Sequence, residues 1–182
     1  MHNDIDHVLL DEGTILRRLD GMARDITRDY EGRMPTIVCI LHGGIILMAD
    51  LLRRVELPLL IETISVSSYH GGVESSGVIT FHQKGLPDLK GKHVILLDDI
   101  LDTGRTLAAI SRRFTEEAGA ASVKLCVLLR KVKDRACAVE ADYVGFDIGD
   151  EFVVGYGLDY QGQYRNLPYI GVLKPEAISR LA

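Results

Sequence analysis

Cysteine is scarce in this chain, and Cys39, Cys126 and Cys137 form no Cys-x-x-Cys pair. Two of the three fall in apolar runs that read as buried strands, so small core residues in a reducing cytoplasm are expected rather than disulfides. The six histidines are scattered without metal-ligand spacing, which argues against a dedicated zinc site. No apolar run approaches the roughly 20 residues of a membrane span. The start, Met1-His2-Asn3-Asp4-Ile5-Asp6, is acidic and lacks the layout of a signal peptide. Positive charge is not in excess either. With 21 Lys and Arg against 26 Asp and Glu, the net charge is −5, giving no general reason to expect nucleic acid as a partner. Internal repeats, low-complexity tracts and a second domain are also missing. What remains is a soluble composition, 47% hydrophobic and 26% charged, in a chain long enough for one substantial core spanning residues 1–182.

The most informative stretch runs from Val94 to Leu107. Val94-Ile95-Leu96-Leu97 is a continuous apolar run, suited to a strand covered on both faces of a parallel sheet. Asp98 and Asp99 follow where that strand is expected to end. A loop of Asp102, Thr103, Gly104, Arg105 and Thr106 then leads into Leu107, Ile110, Phe114 and Ala118 at helical spacing. Ligands in open α/β sheets sit beyond the carboxyl ends of strands, where this loop lies. Backbone N–H groups near a helix start, a glycine for close approach and two threonine hydroxyls favour a phosphate. Carboxylates repel phosphate. A sugar phosphate reconciles the two, with the loop holding the phosphate while Asp98 and Asp99 accept from ribose hydroxyls or sit near a metal ion. The plainer reading is a solvated loop whose Asp or Thr caps the helix.

In chain order, Ile15, Leu19, Met22 and Ile26 step by four, three and four, predicting a helix over 14–30 whose charged opposite face is solvated. Thr36 to Leu41 reads as a buried strand, His42-Gly43-Gly44 as a tight turn, and Ile45 to Arg54 as a helix. Leu59 to Val66 reads as a strand. The Gly/Ser-rich run 67–77 is a linker or, given strand-like flanks, a long hairpin loop or lid before Val78 to His82. Gly119 ends the later helix, and Val123 to Leu129 forms another buried strand. Alternating strands and helices over 36–129 indicate an α/β fold with a mainly parallel twisted sheet. Tyr143 to Phe146 and Phe152 to Tyr156 read as short strands of a subdomain over the sheet's carboxyl edge.

The segment from Val94 to Thr106 resembles the phosphoribosyl-diphosphate (PRPP) signature of type I phosphoribosyltransferases: an apolar run, two acids, two apolar residues, then Asp-Thr-Gly-x-Thr. Phe152 to Tyr160 and Tyr164-Arg165-Asn166-Leu167-Pro168-Tyr169 narrow the resemblance to the hypoxanthine-guanine phosphoribosyltransferases, over residues 36–175. It implies a core of about 36–130 and a hood of about 140–175, with room for N-terminal residues in the hood. It also implies transfer of 5-phosphoribosyl from PRPP to N9 of hypoxanthine or guanine, with Mg2+ as cofactor.

The same resemblance assigns residues. Thr103, Gly104, Arg105 and Thr106 would cradle the 5-phosphate, while Asp98 and Asp99, where relatives often have Glu-Asp, would take the ribose hydroxyls. Asp102 would accept the purine proton. His42, Gly43 and Gly44 match a pyrophosphate loop that often carries a non-proline cis peptide; Lys is usual where this chain has His42. Ser68 and Tyr69 match a mobile lid. Lys131 would donate to the 6-oxo group, Phe152 stack on the base and the Val153 backbone read its Watson-Crick edge. Without the family, Lys131 is part of a solvated basic cluster, Arg130-Lys131-Val132-Lys133. Asp159, with Asp98 and Asp99, would serve the metal, and Arg165 the leaving pyrophosphate. In Asp147-Ile148-Gly149-Asp150, relatives generally have Pro before the second acid. A cytoplasmic homodimer or homotetramer with no nucleic-acid or membrane partner follows. Two rivals stand beside this reading: a nucleic-acid-binding regulator on the same fold, disfavoured by the acidic balance, and a xanthine-preferring relative.

Overall fold

Alternate residues of the central strands face opposite helical layers. The computed structural model describes residues 2–68, 79–81, 85–133 and 137–181. In it β1 is Ile5–Leu10, α1 Glu12–Asp29, β2 Thr36–Leu41, α2 Ile45–Leu52, β3 Leu60–Ser68, β4 Ile79–Phe81 and β5 His93–Leu101. The remaining elements are α3 Arg105–Glu116, β6 Ser122–Lys131, β7 Tyr143–Ile148, β8 Val153–Val154, β9 Ile170–Leu173 and α4 Pro175–Leu181. Side chains on a strand alternate between faces. Ile37, Cys39, Ile95, Leu97 and Cys126 accordingly pack with α1 and α2. Val38, Ile40, Val94, Leu96 and Val127 pack with Leu107, Ile110 and Phe114 of α3. The apolar run Val94 to Leu97 is completely buried, as a strand covered on both faces must be. Burial pushes the thiols of Cys39 and Cys126 up to about 12, so both are inert core groups.

Five strands, in the order β3-β2-β5-β6-β7, run parallel, and β4 joins β3 antiparallel at the edge. This is the α/β sheet flanked by helices that the alternation predicts. The β3–β4 pairing also makes the flanks of the Gly/Ser-rich run a hairpin; Tyr69 and the run through Gly77 lie outside the described residues. Residues Ile15, Leu19, Met22 and Ile26 are almost wholly buried on α1. The helix starts at Glu12 rather than Thr14 because Asp11 caps it, accepting from the Thr14 N–H at 2.9 Å. Its charged face is not purely solvated: the Arg18 Nε donates to the Gly145 carbonyl at 2.8 Å and ties α1 to β7.

Two expectations need correction. The strand β5 does not stop before the acids but continues through Asp98 and Asp99 to Leu101. The partner strand β6 runs on beside it to Lys131, so the ladder persists with Asp98 opposite Val127 and Ile100 opposite Leu129. And Tyr143 to Phe146 belongs to the main sheet, as part of β7 parallel to β6, not to the hood. A second sheet, β1-β9-β8, is antiparallel and joins the N-terminal strand to the C-terminal third. Asp4 fastens this junction, accepting from the Tyr164 hydroxyl at 3.0 Å and pairing with Arg180 at 2.7 Å. The small sheet packs on the core through Val153, Tyr156, Leu158 and Ile170. The Tyr156 hydroxyl donates to Asp50 of α2 at 2.6 Å. No helix among the described residues is long and apolar enough to cross a membrane.

Candidate active site

The carboxyl ends of β2, β5 and β6 and the turns after β8 bound one cleft. It has two adjoining chambers. One is lined by Asp98, Asp99, Thr103, Gly104 and Thr106. The other is lined by Lys131, Phe152, Val153, Leu158 and Asp159. Asp99, Ile100 and Asp102 line both and so form the wall between them.

The acids emerge from the side of β5 while the ladder still runs, which holds them close to the core. Burial, and after it the charge of Asp99, pushes the Asp98 carboxyl well above the usual range. Burial raises Asp99 too, against the pull of its hydrogen bonds and of the Arg165 charge. The Asp99 N–H donates to Asp98 Oδ1 at 3.0 Å. Beside them, the Leu41–His42 peptide is cis, and Gly43 lies against Asp99. A Cβ at position 43 would clash with the Asp99 carboxylate, so any larger residue there requires that carboxylate or the turn to shift. The Gly44 N–H is committed to the Ile40 carbonyl at 3.1 Å. An anion role for this turn therefore rests on the amides of His42 and Gly43.

At the start of α3, the helix cap is Gly104, with φ +77° and no side-chain cap bond. The positive φ suits glycine, no side chain caps the first turn, and Thr106 and Leu107 of that turn line the chamber. Asp102 is not the cap. Its carboxylate turns to the lysines at and just beyond the end of β6, with Oδ1 2.6 Å from Lys133 Nζ and Oδ2 3.9 Å from Lys131 Nζ. Thr103 and Thr106 line the first chamber, whereas Arg105 is exposed and outside that lining.

In the second chamber Phe152 is 44% exposed, unusual for a large aromatic and suited to a stacking platform. Tyr160 meets it edge-on, with ring centroids 5.3 Å apart. Lys131 is only 8% exposed and donates to Asp150 Oδ1 at 3.0 Å. Lys133 donates to the same oxygen at 2.8 Å. Asp159 pairs with Arg165 at 2.7 Å, and the Arg165 Nη1 donates to the Gly157 carbonyl at 2.7 Å.

The described residues thus bring together the acids, the Thr-Gly-Arg-Thr turn, the 42–44 loop, Lys131, Phe152, Val153, Asp159 and Arg165. Ser68 ends β3, and Tyr69 lies outside the described residues. No ready-made cluster of three metal-ligating side chains exists among the described residues. Sequence reasoning missed Lys133 and Asp150 as members of the site. The available signal was two-residue alternation, which puts Lys131 and Lys133 on one side of an extended chain.

A family model described as a phosphoribosyl transferase domain matches residues 8–161. The hypoxanthine-guanine phosphoribosyltransferase of Streptococcus pneumoniae is 47% identical over 179 residues, which is 98% of this chain and 99% of that protein. The crystal structure of a hypoxanthine phosphoribosyltransferase from Staphylococcus aureus matches with a TM-score of 0.91 at 44% identity, covering 97% of this chain and 95% of that one. A hypoxanthine phosphoribosyl transferase of Trypanosoma cruzi matches at 34% identity with a TM-score of 0.92, covering 99% and 97%.

Proposed function

The chain belongs to the phosphoribosyl transferase family, on its hypoxanthine-guanine branch, and from that premise we propose how its two chambers divide the work. The reaction is purine salvage: 5-phosphoribosyl passes from PRPP to N9 of hypoxanthine or guanine, giving IMP or GMP and pyrophosphate. The observation that carries the assignment of residues is that Asp99, Ile100 and Asp102 line both chambers. A group on that wall reaches the sugar from one side and the base from the other.

In this reading the first-turn amides of α3, with Thr103 and Thr106, bind the 5-phosphate. Asp98 and Asp99 accept hydrogen bonds from the ribose hydroxyls. Their burial supports this, because enclosed carboxylates call for hydroxyl donors or a cation. Phe152 stacks on the base, the Val153 backbone reads its edge and Lys131 donates to the 6-oxo oxygen. Asp102 takes the imidazole proton as N9 bonds to C1 of the sugar. The amides of His42 and Gly43, and Arg165 with its planar fork of donors, receive the departing pyrophosphate. Ser68 and Tyr69 belong to a lid that excludes water.

Magnesium fits the donor set. It is commonly held by one or two carboxylates together with substrate phosphates, so no preformed three-ligand cluster is needed. Asp159, Asp98 and Asp99 would hold it, and it would supply charge neutralisation to the leaving pyrophosphate. The protein works as a single domain over 1–182 and, in keeping with the family resemblance, as a cytoplasmic homodimer or homotetramer. Incubation with PRPP, magnesium and each purine base in turn, following nucleotide formation, tests the whole reading. Turnover of hypoxanthine or guanine is expected, and none from either base contradicts it.

A further inference from the structure

Four charges at the purine chamber close into a ring of alternating sign. Lys133 Nζ lies 2.6 Å from Asp102 Oδ1 and 2.8 Å from Asp150 Oδ1. Lys131 Nζ completes the circuit, 3.0 Å from the same Asp150 oxygen and 3.9 Å from Asp102 Oδ2. The members differ sharply in exposure. The Lys131 side chain is 10% exposed and that of Asp150 67%. The ammonium is therefore fixed in the chamber, while the carboxylate on it reaches in from solvent and can return there with little loss of hydration.

We infer that Asp150 is an internal occupant of the purine-reading ammonium, and that Lys133 keeps hold of Asp150 when a 6-oxopurine displaces it from Lys131. This rests on the reading that Lys131 donates to the 6-oxo group. A carbonyl oxygen accepts from an ammonium and can take the place of Asp150. The exocyclic amine of adenine is a donor and cannot, so adenine meets a site that its own carboxylate keeps closed. Lys133 makes the exchange easier, since Asp150 retains one of its two partners throughout. The base-reading contact is thus a displacement, with selectivity set partly by the group displaced.

Removing the occupant should strengthen 6-oxopurine binding. In Asp150→Ala, KM for hypoxanthine at saturating PRPP and the dissociation constant for IMP should fall about threefold to tenfold, the scale of one ordinary net hydrogen bond, because the solvent-exposed Asp150 gives up little on leaving. Lys133→Met should raise KM for hypoxanthine by a similar factor, because Asp150 then depends on Lys131 alone. In the Asp150→Ala background, Lys133→Met should no longer raise it, a coupling that a double-mutant cycle isolates. A KM that rises or stays unchanged in Asp150→Ala, or full additivity of the two substitutions, overturns the inference. The underlying reading fails by separate signs: no turnover of hypoxanthine by the unaltered protein, or unchanged base preference in Lys131→Ala.

Discussion

Gly43 and Asp99 occupy one another's space so closely that neither can be understood alone. The Asp99 carboxylate sits where a side chain at position 43 would begin. Gly43→Ala should therefore push the Asp99 carboxylate or the 42–44 turn out of place. A fall in kcat/KM for PRPP of about 10²-fold is expected, the scale of a misplacement of about 1 Å in an active site, and unchanged kinetics would show that the contact is idle. At this scale the sequence was partly legible. Asp98, Asp99, Asp102 and the turn after them sit in one short segment, so their spacing suggested a sugar-phosphate loop beside the plainer reading of a capped solvated turn, and the family resemblance assigned their roles. The ring of Asp102, Lys131, Asp150 and Lys133 was not, because it joins three separate segments. In the linear chain Lys133 is one more charge in a basic cluster, and Asp150 one more acid in a turn.

Among the elements, β5 shows why a run of apolar residues predicts a strand better than it predicts its end. Val94 to Leu97 had to be buried on both faces, but where the ladder stops depends on the neighbour, and β6 carries it on to Leu101. The strand β1 was missed for a related reason. Asp6 and His7 break its apolar pattern, and it becomes a strand only by pairing with β9. One tie beside this small sheet is electrostatic and can be titrated. Arg180, and then the Tyr164 hydroxyl, hold the Asp4 carboxyl below the usual carboxylate range. A depressed folded-state pKa stabilises fully above the ordinary aspartate value of about 3.9 and less as pH falls through the lower folded value. Asp4→Asn should thus be less stable than the unaltered protein above about pH 5, and the gap should close towards pH 3. A gap independent of pH in thermal or urea unfolding would assign Asp4 no electrostatic role.

Over the whole molecule, the sheet places its costliest groups at the mouth of the cleft. Asp98 and Asp99 are pushed up by burial, so the folded protein takes up protons that the unfolded chain would release. Their contribution to stability is least unfavourable at low pH and worsens as pH rises through the raised folded values. Ligands that compensate these charges should do most for stability where both are ionised. Magnesium with PRPP is expected to raise the melting temperature more at pH 8 than at pH 5.5, as binding to the folded state alone requires. An equal shift at both pH values would remove the acids from the ligand site.

The wall shared by the two chambers makes one further demand, and it is the most direct. If Asp102 serves the base from a position beside the sugar, Asp102→Ala should lower the single-turnover rate of nucleotide formation by about 10²- to 10⁴-fold, the usual span for a general base. The dissociation constant for PRPP should change only a few-fold. Equal losses in rate and in PRPP binding would contradict the account, because Asp102 would then hold the sugar rather than the proton.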